Sequence, residues 1–397
     1  MISSEAVIPP PAPAIMVEEG VCWVMFAYDV GAGIDLEAAD RQLTEPRGRD
    51  ELQHQRRAPR YLQFQPAPLR IELEVERISL AAGRKATGSL AEAPAEGGGS
   101  PGPVTDSKVT CTLFDFGAIS VAYRVRLRCP LEGLLDVAEA LYENEALLAD
   151  SRRIVESLLR RLGGAIRFAS IAAAVEDYVV YEVRRWECAA PIAEAVASHA
   201  QTIGGVLRAE RGPMSAQELA EAMSCRIAFS PADAVVIDWN AALVFDARAE
   251  DALAVLEYAN VELLELRYLD DRLDGILEQA SRAVQGPRWG QLLPGLGAEQ
   301  RRRIANLQMD AALLFEGINN AIKLLGDQYL ARLYRLTAHR LHLQDWEASI
   351  LRKLQTVDGI YQKLTDAAST RRMEVLEWII IILIAVSIVL PFLGVGK

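Results

Sequence analysis

Residues 69–80, LRIELEVERISL, alternate in character. Leu69, Ile71, Leu73 and Val75 fall on one side, and Arg70, Glu72, Glu74 and Glu76 on the other. A period of two predicts a half-buried strand. VCWVMFAYDV at 21–30 is an unbroken apolar run with aromatic and β-branched members, and reads as a buried strand. DLEAADRQL at 35–43 opens on a capping aspartate and predicts a short helix. Residues 108–128 read as two strands turning near Asp115 and Gly117. Residues 131–162 read as two helical segments broken around Asn144, and 176–187 as a further strand. The order strand, helix, strands, helix, strand predicts a ferredoxin-like mixed α+β layer.

Beyond residue 190 the period lengthens. Residues 193–211 and 215–225 read as helices, with Ser215 and Glu218 spaced as a capping box. Long helices are expected at 248–284 and 298–339, joined by a turn at 285–297, and a third begins near Leu343. The first of these has apolar flanks on two sides, as a helix between two neighbours would. In the third, Ile350, Leu354, Val357, Tyr361 and Leu364 form a heptad seam. In the second, Ile304, Leu307, Ala311, Leu314, Ile318, Ile322, Leu325 and Tyr329 repeat at three and four with one stutter. The pattern predicts an antiparallel coiled-coil stalk; helices of one chain packing on each other are the plainer partners of the seam, and a homo-oligomer is expected in addition.

Ionisable side chains stop at Glu377 and resume only at Lys397. The intervening 378–396, as a helix, measures roughly 28 Å against a hydrocarbon core of ~30 Å. Ile379, Ile380, Ile381, Ile382, Leu383 and Ile384 dominate it, with Trp378 at the near boundary and Pro391 one turn from the far end. At about -0.3 to -0.6 kcal/mol per large apolar residue, insertion is favoured by roughly 4–7 kcal/mol. The plainer alternative is a buried core helix. Lys363, Arg371 and Arg372 precede the run and Lys397 follows it, so the positive-inside rule leaves residues 1–377 in the cytoplasm.

Composition narrows the classes. Apolar residues make up 51% of 397, enough for packed cores, and a net charge of -12 disfavours non-specific nucleic-acid wrapping. Five scattered cysteines without a CxxC pair exclude a disulfide framework and a zinc knuckle. The first residues carry Glu5, Glu18 and Glu19 but no basic or apolar leader region, so no secretory signal is expected.

No catalytic motif, metal-ligand set or cofactor fingerprint emerges. DVGAG at 29–33 has too few glycines for a phosphate loop and reads as a turn. His339 and His342 share a helical face, but no acid completes a metal set, and a solvated helix end is the plainer reading. Asp270, Asp271 and Asp274 alternate with Arg267 and Arg272 as a solvated, ion-paired face does. Arg184 and Arg185 beside Trp186 are the candidate nucleic-acid contact, against the plainer reading of a strand edge.

The closing block, ILRKLQTVDGIYQKLTDAASTRRMEVLEWIIIILIAVSIVL at 350–390, resembles the "required for meiotic nuclear division" family. Arg371, Arg372, Leu376, Glu377 and Trp378 carry the likeness. TLFDFGAISVAY at 112–123, residues 194–210 and residues 256–274 add weaker similarity. The resemblance implies a bacterial member of a membrane-associated family. Its eukaryotic members support organelle translation, and none has established catalytic residues.

These readings divide the chain into five. They are a Pro-rich leader (1–19), an α+β domain (20–190) with a flexible insertion (82–107), an α-rich connecting region (191–247), a helical stalk (248–377) and a transmembrane anchor (378–396). The expected function is non-enzymatic: a tail-anchored scaffold on the bacterial inner membrane, presenting the α+β domain to a soluble partner. The alternatives are an RNA- or ribosome-contacting factor and an enzyme with an unrecognised site.

Overall fold

The computed structural model describes residues 14–44, 46–49, 66–80, 102–285, 309 and 328–392. Strand β1 (Met16–Asp29) lies near the middle of the sheet. From Val24 onward every residue of it is buried. That explains the unbroken apolar run: a strand covered on both faces has no solvent side on which to alternate.

Eight more strands join it. They are β2 (Arg47–Arg49), β3 (Leu69–Glu74), β4 (Lys108–Leu113), β5 (Ala118–Pro130), β6 (Val175–Glu187), β7 (Cys225–Ile227), β8 (Ala234–Ile237) and β9 (Ala241–Phe245). Their order is β2-β3-β4-β5-β1-β6-β9-β8-β7. Neighbours are antiparallel except β6 and β9, which are parallel.

On one face, Val24, Phe26, Tyr28, Tyr123, Tyr181 and Leu243 build the main core. It is covered by α1 (Leu36–Gln42), α2 (Leu134–Leu141), α3 (Glu145–Leu162), α4 (Ile192–Ser198) and α5 (Ala200–Arg208), with α6 (Ala216–Ala222) at its margin. Asp35 caps α1 by accepting from the amides of Glu37 and Ala38. Asn144 caps α3 by accepting from Leu147, which sets the break between α2 and α3. Two core tyrosines anchor α3 to the sheet: Tyr28 shares a 2.6 Å hydrogen bond with Ser151, and Tyr123 donates to Asp150 at 2.7 Å.

The opposite face is covered by α7 (Glu250–Gln285) and α8 (Gln328–Arg340). Asn260 of α7 donates to the Glu176 carbonyl, and Glu257 pairs with Arg70 of β3 at 3.3 Å. Helix α8 packs on β7 and β8. Between Ala252 and Leu266, α7 is buried almost all round, as expected for a helix enclosed between sheet and neighbours.

This arrangement overturns the expected architecture. The ferredoxin-like layer gives way to a nine-stranded mixed sheet with helices on both faces, because 225–245 adds three strands where the sequence pattern read helix and connection. The first half of α7 packs on the sheet instead of standing in a stalk. The expected transmembrane helix is overturned too. Helix α9 (Leu343–Phe392) runs through the apolar segment, but among the described residues no helix is long and apolar enough to cross a membrane. With the span go the lipid-bilayer partner, the inner-membrane location and the tail-anchored scaffold.

The chain forms two compact units. The first is Met1–Tyr268 with Leu314–Gln344, and it contains the sheet. The second is Leu269–Leu313 with Asp345–Lys397. In the second unit Ile350, Leu354 and Val357 are buried, and Val357 packs with Ile276, Leu277 and Ile360. Lys353 bridges Asp270 at 2.8 Å and Asp274 at 2.6 Å. The described part of the seam is therefore filled from within the chain, and nothing supports a homo-oligomer built on it. The side chains of Tyr361, Leu364 and Pro391 lie outside the described residues. So do 1–13 of the leader, 82–101 of the insertion, the turn at 286–297 and residues 298–308 and 310–327 of the second long helix, whose described end, 328–339, falls in α8 on the sheet.

Two predictions follow from packing in the first unit. Gly117 has φ +111°, and a Cβ there would sit 1.9 Å from the Gly31 carbonyl oxygen. Gly117→Ala should destabilise the fold by more than ~2 kcal/mol in urea titrations. Glu176 is buried beside Arg267, 2.5 Å away. Burial pushes its carboxyl up to about 7 despite that cation, from 4.5 in an open chain. The folded chain holds this proton more tightly than the unfolded one. Its stabilising contribution is therefore full below about pH 4.5 and is lost as pH rises through about 7. Relative to Glu176→Gln, the wild type should lose on the order of 2 kcal/mol between pH 5 and 8. Parallel pH profiles of the two proteins would contradict this.

Candidate functional site

A cavity of about 550 Å³ opens on the first face of the sheet, in the first unit. Its volume falls in the range of small-ligand sites. Val24, Phe26, Val179 and Tyr181 form its floor, and the loop between α2 and α3 and the C-terminal end of α5 form its walls. At the mouth stand Tyr142, Leu148 and Trp239, all exposed. Large apolar side chains held open around a concavity mark a binding surface.

The electrostatics of the cavity are one-sided. Glu143, Glu145 and Asp177 line it, and among the described residues no lysine, arginine or histidine does. Asp177 is reached by solvent but sits in a concave mouth whose walls exclude part of its water. That desolvation raises its carboxyl pKa, offset in part by a hydrogen bond from its own backbone amide.

The backbone is also distinctive here. Four described non-glycine residues have positive φ: Glu143, Phe168, Ala209 and His342. Two of them, Glu143 at 48° and Ala209 at 52°, line the cavity. Such conformations cost roughly 1–2 kcal/mol each and gather at functional sites.

Trp239 and Asn240 form the two-residue turn between β8 and β9, closed by the Asp238 amide donating to the Ala241 carbonyl at 2.8 Å. Asp238 is fully buried. Its Oδ2 accepts from Arg208 Nε at 2.8 Å, and its Oδ1 accepts from Arg340 Nε at 2.8 Å and from the Trp239 amide at 2.8 Å. The Tyr178 hydroxyl donates to the Asp238 carbonyl at 3.0 Å. Arg208 also pairs with Glu218, and Arg340 with Glu221. A buried carboxylate survives only when its lone pairs are met by cations and donors in this way.

The residues singled out by sequence lie elsewhere. Arg184 is held by the buried Glu182 at 2.7 Å and 3.1 Å, and Glu182 also accepts from the Trp23 indole. Arg185 pairs with Glu19 at 3.2 Å. Both guanidinium groups are engaged by carboxylates, so the expected nucleic-acid contact and the RNA- or ribosome-contacting alternative have no support. His339 lies 3.9 Å from Cys225, and no metal-ligand group is found among the described residues. The Asp29 to Gly33 segment is a turn, hydrogen-bonded through Val30 to Gly117 and through Ala32 to Arg167. Sequence reasoning missed the Asp238 turn. Its signal was present: AVVI and AALVF flank Asp-Trp-Asn, two apolar runs around turn residues.

Comparison with known proteins corrects the expected family. Nothing found links the chain to the meiotic nuclear division family. Instead, residues 19–91 and 101–252 match the family model described as "Uncharacterized protein MJ0711, N-terminal domain". That match takes in most of the described strands and the cavity. A curated relative, the uncharacterized protein MJ0711 of Methanocaldococcus jannaschii, is 21% identical over 187 residues, covering 47% of this chain and 57% of the relative. No solved structure matches. The chain belongs to the family defined by the N-terminal domain of the uncharacterized protein MJ0711.

Proposed function

We propose that the sheet domain is a non-catalytic binding module for a ligand with an apolar or aromatic body and a cationic head. The observation that carries this reading is the composition of the cavity. Three carboxylates and two exposed aromatic rings surround an apolar floor, with no cationic side chain among the described lining residues. An ammonium or guanidinium head is attracted to such carboxylates and to the faces of Trp239 and Tyr142. The floor of Val24, Phe26 and Val179 buries the body of the ligand, at about 25 cal/mol per Å² removed from water. An anionic ligand would meet like charge at Glu143, Glu145 and Asp177.

Calorimetry with 2-phenylethylammonium and its neutral analogue 2-phenylethanol tests this. The cation should bind at least ~10-fold more tightly, a difference of about 1.4 kcal/mol. Trp239→Ala should weaken the cation by roughly 10-fold, and Asp177→Asn by a few-fold. Affinity should also fall as the pH is lowered toward the raised Asp177 pKa, since the neutral acid attracts no cation. Equal affinity for the two probes, or indifference to Trp239→Ala, would overturn the reading.

A further inference from the structure

We propose that Arg340 is a positioning residue for the cavity, holding Trp239 at its mouth through Asp238, so that helix α8 on the opposite face of the sheet regulates ligand affinity. The inference rests on the cation-site reading for the ligand, but its geometry stands apart from it. Arg340 does not line the cavity. It ends α8, which packs on β7 and β8 and bonds α7 through Tyr334 and Glu262. Its guanidinium nevertheless donates through both Nε and Nη2 to Asp238 Oδ1, the same oxygen that accepts the Trp239 amide.

Asp238 ties together the α5 wall, the β6 floor and the β8–β9 turn. Arg208 on its other oxygen belongs to α5, whose Val206, Leu207 and Ala209 line the cavity. Tyr178, which donates to its carbonyl, lies between the lining residues Asp177 and Val179. The Val179 amide donates to the Asn240 carbonyl at 3.2 Å. A shift of α8 that moves Arg340 therefore changes the acceptor that fixes the Trp239 backbone. A buried ion pair that joins a helix on one face to a turn on the other is a contiguous path through which the two faces can be coupled.

Two measurements on the full chain test this. Hydrogen exchange of the Trp239 amide, in protein without ligand, reads the hold directly. Arg340→Met should speed it at least ~10-fold, and Arg340→Lys, which keeps the charge but loses the fork, should fall between. Lysine also serves where methionine does not fold. The second is a double-mutant cycle on binding of 2-phenylethylammonium. Arg340→Met (or Lys) should weaken the probe several-fold in the wild-type background and by less than ~2-fold beside Trp239→Ala. Unchanged Trp239 exchange would overturn the proposal, and so would the same loss of affinity in both backgrounds. Failure of the probe to bind wild-type protein would sink the cation-site reading alone, while the exchange experiment would still decide whether Arg340 holds Trp239.

Discussion

One buried carboxylate conditions much of the first unit. Asp238 has no solvent access, and leaving its charge unpaired there would cost several kcal/mol. Arg208 and Arg340 resolve this from two directions, one from a helix on each face of the sheet. The short strands β8 and β9 bring little area of their own, with four and five residues. The ion pairs and the closed turn pin the end of this hairpin beside β6.

The cavity is a consequence of that corner. The β8–β9 turn projects Trp239 outward while the rest of β8 and β9 is buried. The adjoining α2–α3 loop turns through Glu143 in the left-handed region, which leaves Tyr142 exposed instead of packed. The same two local departures from easy packing create the apolar opening and its acidic rim. Structure elsewhere in the unit is conservative: a core of tyrosines and aliphatics, with helix caps where the sequence places them.

Much of the local structure was legible in sequence. The alternation at 69–75, the Asp35 and Ser215 caps and the break at Asn144 all follow from short-range chemistry, and each is present. Long-range arrangement was not. β7, β8 and β9 are too short to show a period, so the strand that completes the sheet beside β6 went unread. The two apolar flanks of α7 were visible, but not that one of them meets a sheet. The heptad at 350–357 says that a seam is buried without naming its partner, which proves to be α7 in the same chain. The apolar run at 378–396 read as a membrane span by length and hydropathy, but among the described residues no helix is long and apolar enough to cross a membrane. The cavity escaped notice because its residues come from five separate segments, and no local pattern joins Tyr142, Asp177 and Trp239.

Chemical-shift mapping of isotope-labelled protein titrated with 2-phenylethylammonium tests the central claim most directly. The account predicts perturbations centred on Tyr142, Leu148, Asp177, Val179 and Trp239, with much weaker effects from 2-phenylethanol at the same concentration. Perturbations centred away from these residues, or equal for the two compounds, would contradict it.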